Sequence, residues 1–96
     1  MKSLTSRIST SVTIGQNLDI LSLSNVTIRC PVAGLPKPVI SWSFDDRALE
    51  HGGNIRINGG KLVIRSANTL DSGRYTCVAS NLVGQTRAQT VLTVIG

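Results

Sequence analysis

The sequence predicts an all-β sandwich of two facing sheets, and two observations carry the prediction. Short runs of alternating apolar and polar residues recur along the chain, which is the period-2 pattern of strands with one buried face. Valine, isoleucine and threonine occur nine times each among the 96 residues, so β-branched side chains dominate. No stretch sustains the i, i+3, i+4, i+7 spacing of an amphipathic helix. We therefore expect short antiparallel strands and few helical residues.

Each alternating run is bounded by residues that favour turns, which sets the order of the strands. Glycine, proline and aspartate at these positions supply the backbone angles that tight turns need. The predicted strands include residues 26–30, 40–43, 55–57, 62–64, 75–78 and 92–94. The predicted turns lie at residues 34–38, 45–46, 52–53, 59–60, 71–73 and 81–84, the last as a four-residue hairpin connection.

Length and composition indicate one domain with a basic surface. We expect residues 8–96 to form a single domain and residues 1–7 to be a disordered or expression-derived tail. Ten Lys and Arg against five Asp and Glu give a net charge of +5, which permits attraction to polyanions. No apolar run approaches eighteen residues, so we expect no membrane insertion. Residues 1–10 lack the apolar core of a signal peptide, so either a piece of a longer secreted chain or an intracellular domain is expected.

Two cysteines, a tryptophan and a tyrosine stand at a characteristic spacing. Cys30 and Cys77 lie 47 positions apart, Trp42 follows the first by twelve, and Tyr75 precedes the second by two within Asp71-Ser-Gly-Arg-Tyr-Thr-Cys. By themselves, two cysteines would also fit free buried thiols in a cytosolic β-domain. Together with Asn81-x-x-Gly84, the pattern over about residues 16–95 resembles an immunoglobulin domain of the I-set type.

The resemblance implies a Greek-key sandwich and a structural role for each of these residues. Cys30 and Cys77 would form an inter-sheet disulfide, and Trp42 would pack its ring against it. The Tyr75 hydroxyl would bond to nearby backbone in a tyrosine corner. Asp71 and Gly73 would shape the turn that leads into the strand of Tyr75.

The residues before Cys30 depart from the family pattern at one position. I-set domains usually carry a glycine about seven residues before the first cysteine, and here that residue is Leu23. The nearest preceding glycine is Gly15, so the segment 15–24 is either longer or differently registered than in the family.

The run from Cys30 to Pro38 is similar to modules of ADAMTS-like proteins, papilin and hemicentin, which are matrix and adhesion proteins. This grouping implies a secreted, disulfide-bonded domain in an oxidising compartment. A muscle-type intracellular I-set domain with reduced cysteines is the alternative.

Candidate catalytic and metal-ligating residues are sparse. His51 is the single histidine, no G-x-S-x-G motif occurs, and a triad needs three converging groups. Asp45, Asp46 and Glu50 lack the spacing and the glycine of a calcium loop. We therefore expect no catalysis, no metal and no cofactor.

The triplet Asn25-Val26-Thr27 fits the acceptor pattern for N-glycosylation. By its position relative to Cys30, Asn25 faces outward at the start of a strand. In a secreted protein, Asn25 is a candidate glycan site, although such triplets are common by chance.

Counting outward from core positions places four cations on the solvent face of one sheet. These are Arg29, Arg56, Lys61 and Arg65. The patch would suit heparan sulfate, although outward charge also serves solubility. Arg56 or Arg65 is alternatively expected to pair with Asp71, as such arginines do in many immunoglobulin domains. Nucleic acid is not expected as a partner, because no aromatic residue interleaves with these positions.

Three functions remain open from the sequence. The first is a non-catalytic adhesion module that binds extracellular proteins through the 81–84 hairpin, the 34–38 turn or the sheet edges at about 85–94 and 47–49. The second is a glycosaminoglycan-binding module, and the third is a rigid spacer. We expect a monomer, with a weak homodimer through the last strand as the alternative.

Overall fold

The computed structural model describes residues 9–31 and 37–96, and the expected tail at residues 1–7 lies outside the described residues. The described part contains nine strands and one 3-10 turn, Thr69–Asp71. The strands are β1 (Ser9–Thr13), β2 (Leu18–Leu21), β3 (Asn25–Arg29), β4 (Val39–Phe44), β5 (Arg47–Ala48), β6 (Ile55–Asn58), β7 (Lys61–Ile64), β8 (Gly73–Ser80) and β9 (Gln85–Ile95).

The strands form two sheets that pack face to face. The first sheet has the order β1-β3-β7-β6, and the second sheet has the order β2-β9-β8-β4-β5. The predicted sandwich is therefore confirmed. Most neighbouring strands are antiparallel, but β1 runs parallel to β3 and β2 runs parallel to β9. The chain reverses at residues 14–16, between β1 and β2, and Gly15 there takes a φ of +109°, which favours glycine.

The core lies between the sheets and is built from the inward residues of the alternating runs. The largest side chains with essentially no exposure include Ile28, Leu62, Ile64, Tyr75 and Leu92. Burial of each large aliphatic side chain stabilises the fold by about 1.5–3 kcal/mol. Thr90 is also fully buried, and its Oγ1 accepts a 2.9 Å hydrogen bond from the Gly15 backbone N–H. This bond fixes the β1–β2 turn against the last strand.

Leu23 explains the departure from the family pattern. It takes a left-handed φ of +72°, the conformation for which glycine is favoured at such a turn. Its backbone N–H donates to the Ala67 carbonyl at 2.7 Å, while its side chain is 62% exposed. The turn between β2 and β3 is thus formed without glycine, and the backbone of Leu23 takes a conformation that is strained for a residue with a Cβ.

The sheet edges differ in part from the expectation. The second half of β9, residues 92–95, is paired with β2, so this half is not an open edge. Among the described residues, β9 has an open edge only at its beginning, from Gln85 to about Gln89. At the other side of the sheet the edge is β5, which is only two residues long. The expected edge of 85–94 was therefore too long, because β2 covers its second half.

Candidate binding surfaces

The disulfide joins the two sheets through the core. Cys30 follows β3 and is bonded to Cys77 on β8, with their Cα atoms 6.4 Å apart. Trp42 lies opposite Cys77 in the β4–β8 register and is 3% exposed. Its indole Nε1 donates to the Gly59 carbonyl at 2.9 Å, so the polar end of this ring is satisfied. The predicted inter-sheet disulfide is confirmed.

A hydrogen-bond network around Asp71 holds the start of β8. The Tyr75 hydroxyl donates to the Asp71 carbonyl at 2.6 Å. The Asp71 carboxylate accepts from the Asn68 backbone N–H at 2.9 Å and from Asn54 Nδ2 at 3.1 Å. Asn68 in turn caps the 3-10 turn by accepting from the Leu70 N–H at 2.8 Å. Burial raises the pKa of Tyr75, and the charges of Asp71 and Asp45 raise it further, so the phenol remains a donor.

The expected ion pair between Asp71 and Arg56 or Arg65 is wrong. The Arg56 guanidinium donates instead to the carbonyls of Gly53 and Ile55, at 2.7 and 3.1 Å. The Asp71 carboxylate is occupied by an amide and a backbone N–H, which are neutral donors. Within the described ranges the one ion pair joins Arg74 to Asp46 at 2.7 Å on the surface. The spacing of residues in the sequence did not show whether the partners of the Asp71 carboxylate are neutral amides or charged side chains.

Gly73, the first residue of β8, packs closely against the turn between β4 and β5. A Cβ at Gly73 would lie 2.5 Å from Cε1 of Phe44 and 2.8 Å from the Asp45 carboxylate, so no other residue fits without a shift. The Asp45 carboxylate accepts from the Arg74 backbone N–H at 2.8 Å. Asp45 and Asp46 both have positive φ, as a two-residue type I′ hairpin turn requires. Position 73 is thus occupied by glycine because of packing.

Four cations share the outer face of the first sheet, and we call Arg29, Arg56, Lys61 and Arg65 the basic face. All four side chains are exposed. Arg29 and Lys61 are direct cross-strand partners. Arg56 pairs with Val63, which lies midway between Lys61 and Arg65 on β7. The remaining outward positions of these strands hold serine, threonine, asparagine and valine, so the face carries no carboxylate.

Asn25 lies on the same outer face as the four cations. The β3–β7 register pairs Val26 with Ile64, which places Asn25 next to Arg65. The Asn25 side chain is half-buried, and its Oδ1 accepts from the Ser66 backbone N–H at 2.9 Å. The glycosylation triplet therefore adjoins the basic face, a relation that depends on strand register and was not visible in the sequence.

The hairpin between β8 and β9 presents two apolar side chains to solvent. We call Leu82 and Val83 the hairpin tip; they are 94% and 82% exposed. The Asn81 N–H donates to the Gly84 carbonyl at 2.9 Å, and Asn81 Oδ1 accepts from the N–H groups of Val83 and Gly84 at 2.8 and 3.1 Å. The turn is thus stabilised by hydrogen bonds to the backbone and side chain of its own asparagine. The 34–38 turn, also expected as a contact, lies largely outside the described residues.

His51 has a structural contact in this fold. Its Nδ1 accepts from the Ile57 backbone N–H at 3.1 Å, which ties the loop before β6 to that strand. In the described part of the chain, no three His, Cys, Asp or Glu side chains are grouped closely enough to hold a metal ion. The same residues contain no helix of the length and hydropathy that crossing a bilayer requires.

Comparisons with known proteins identify the family. The profile of the immunoglobulin I-set domain matches residues 9–94. Similar curated proteins include human ADAMTS-like protein 3, 36% identical over 87 residues, and human hemicentin-1, 37% identical over 71 residues. The matches cover 85% and 72% of this chain but only 5% and 1% of those proteins, so the chain spans a small part of the length of either relative.

Solved structures agree with this assignment. The titin M3 domain superposes with a TM-score of 0.79 at 31% identity, covering 86% of this chain and 92% of that one. A structure described as the basis for Dscam isoform specificity gives a TM-score of 0.76 at 29% identity, covering 84% of this chain and 23% of that one. The chain belongs to the immunoglobulin I-set family.

Proposed function

We propose that this domain is a non-catalytic, protein-binding module of a larger extracellular protein of the matrix or adhesion type. The observation that carries the proposal is the hairpin tip, where two apolar side chains are exposed on a turn that is already held in place. Exposed apolar side chains on a pre-ordered loop lower the entropy cost of binding, because little is immobilised on contact. Both tip residues are aliphatic, so the tip suits an apolar pocket on a protein partner.

The open part of β9 extends the same surface. Gln85 to Gln89 follow the hairpin tip after one residue, Gly84, and their edge is not covered by β2. A strand edge offers backbone donors and acceptors to a partner. The tip alone is much smaller than the roughly 800 Å² per partner of a standard interface. We therefore propose that the tip and this edge together form the contact.

The disulfide supports an extracellular location. Disulfides persist in oxidising compartments and are rare in the cytosol. The similarity to ADAMTS-like protein 3 and hemicentin-1 favours the same placement. The alternative is a rigid spacer, which needs no partner, and the likeness to the titin M3 domain agrees with either role. A binding measurement therefore distinguishes the protein-binding module from the spacer.

The test is a binding screen with a matched control. The oxidised chain, multimerised on beads, is presented to an array of recombinant extracellular proteins that includes the chain itself. The tip variant Leu82→Ser/Val83→Ser is compared with Leu70→Ser, whose leucine is 84% exposed. Leu70 precedes β8 and the tip follows it, so the two sites are separated by roughly 25 Å of strand.

The expected result is at least one partner whose binding is lost in the tip variant and retained in Leu70→Ser. A binder that is indifferent to both variants would show that the tip is not the contact surface. A chain that stays monomeric and binds nothing on the array would contradict the binding function and favour the spacer.

A further inference from the structure

We propose that the basic face is a second, separate binding site, for a linear sulfated polysaccharide. This inference goes beyond the protein-binding function and does not rest on it, because it concerns the outer face of the first sheet. The hairpin tip belongs to the second sheet.

Two of the four cations, Arg29 and Lys61, are placed where their like charges repel each other. Arg29 and Lys61 stand directly opposite each other on neighbouring strands, and like charges in that relation destabilise a sheet. No carboxylate on these strands offsets them. The Arg29 Nε donates a 3.4 Å hydrogen bond to the hydroxyl of Ser11, which is neutral. A bound sulfate would supply the missing negative charge.

Solubility does not account for this pattern as well as ligand binding does. Charged side chains protect sheets chiefly at open edges. Three of the four cations lie on or directly after β3 and β7, which are the central strands of the first sheet. A mixture of both signs would keep the face soluble without repulsion. All five acidic residues of the chain lie elsewhere, at positions 19, 45, 46, 50 and 71.

The extent of the basic face favours a chain over a single anion. Lys61 begins β7 and Arg65 directly follows its end, so the two are four residues apart, which is about 13 Å of extended chain. Arg56 lies on the neighbouring strand at the level between them. Charges spread over that length match successive sulfates of a linear polymer. One phosphate or sulfate group would engage only one end of the row.

Sulfated polysaccharide is favoured over nucleic acid by two further observations. Single-stranded nucleic acids are held by stacking of bases on aromatic side chains, and the strands of the first sheet contain none. The disulfide favours an extracellular location, where sulfated polysaccharides are the abundant polyanions. Asn25 adjoins Arg65, so an N-glycan there would compete for the same surface, and the test uses chain without glycan.

The test compares two double variants that remove the same charge from different faces. Arg29→Gln/Arg65→Gln alters the basic face, and Arg47→Gln/Arg87→Gln removes two exposed arginines from the second sheet. The bacterially produced, oxidised chain is eluted with salt from immobilised heparin and from a plain sulfonate exchanger. Circular dichroism checks that every variant is folded.

We expect the wild type and Arg47→Gln/Arg87→Gln to elute later from heparin than from the sulfonate resin. We expect Arg29→Gln/Arg65→Gln to lose that difference. In titrations with soluble heparin, the slope of log K against log salt should fall by about one to two for that variant, since each phosphate contact of nucleic acids contributes about 0.7–0.9.

Three outcomes would overturn the proposal. Equal elution of the wild type from both resins means that net charge alone acts. Equal losses in the two double variants mean that the basic face is not a distinct site. Displacement from heparin by a single-stranded oligonucleotide of the same charge as effectively as by soluble heparin would assign the face to polyanions in general.

Discussion

Leu23 and Tyr75 show how single residues affect the stability of this fold. Leu23 holds a left-handed backbone conformation that costs a residue with a Cβ roughly 1–2 kcal/mol. Tyr75 is fully buried, and its hydroxyl donates a hydrogen bond to the Asp71 carbonyl. The tyrosine was recognised from the motif, whereas the strain at Leu23 followed only from the backbone angle. A position that departs from a family pattern can thus keep the family's geometry.

Leu23→Gly should stabilise the domain. Glycine removes the strain at φ +72°, and this gain exceeds the cost of the greater conformational entropy that glycine gives the unfolded chain, so the net gain is about 0.5–1 kcal/mol. The melting temperature should rise by about 3–6 °C for a chain of this size. The control is Leu21→Gly, a strand residue of similar exposure that should lower it. Equal losses in both variants would contradict the strain argument.

Tyr75 should couple stability to alkaline pH. Its pKa is raised in the folded state, so the native chain keeps the proton above pH 10 while the unfolded chain, at its ordinary pKa of about 10, releases it. The contribution is therefore complete below pH 10 and is lost as pH rises beyond it. Because Tyr75 is the single tyrosine, absorbance at 295 nm reports it directly. Ionisation should coincide with unfolding seen by circular dichroism, and ionisation near pH 10 in a folded chain would refute the assignment.

At the scale of elements, the sequence predicted strands well and pairings less well. Alternation and turn residues located most strands because one buried face imposes period 2. Two features depend on contacts between distant segments of the chain. One is the pairing of β2 with the second half of β9, and the other is the hydrogen bond from the Asn54 amide to Asp71. The same holds for Asn25 beside Arg65, which required the β3–β7 register. Local pattern contains no such information, so these features came from the structure.

The 3-10 turn before β8 should depend on Asp71. Asp71→Ala removes the acceptor of the Asn68 N–H and of Asn54, which should lower the free energy of unfolding by about 1–2 kcal/mol in urea titrations. The control is Asp19→Ala, an exposed β2 residue, which should change it by less than about 0.5 kcal/mol. If both variants are equally stable, the hydrogen bonds of the Asp71 carboxylate do not contribute to the stability of the 3-10 turn.

At the scale of the whole molecule, the disulfide should be the largest single contribution. Closing a loop of 47 positions stabilises a fold by about 3–4 kcal/mol, so Cys30→Ala/Cys77→Ala should lose at least that much in urea unfolding. Reductant should destabilise the wild type and leave the double variant unchanged. A loss below about 1 kcal/mol would mean that the sandwich is held by its aliphatic core alone.

Both proposed surfaces lie on one sandwich, on different sheets, and the hairpin tip is the one on which the proposed function rests. The decisive measurement is the dissociation constant of the partner found on the array for wild type, Leu82→Ser/Val83→Ser and Leu70→Ser. Burial of two aliphatic side chains at a contact predicts a loss of tenfold or more for the tip variant, which is about 1.4 kcal/mol or more. Leu70→Ser should remain within about twofold of wild type, a change of about 0.4 kcal/mol. Equal affinities for all three proteins would contradict the account.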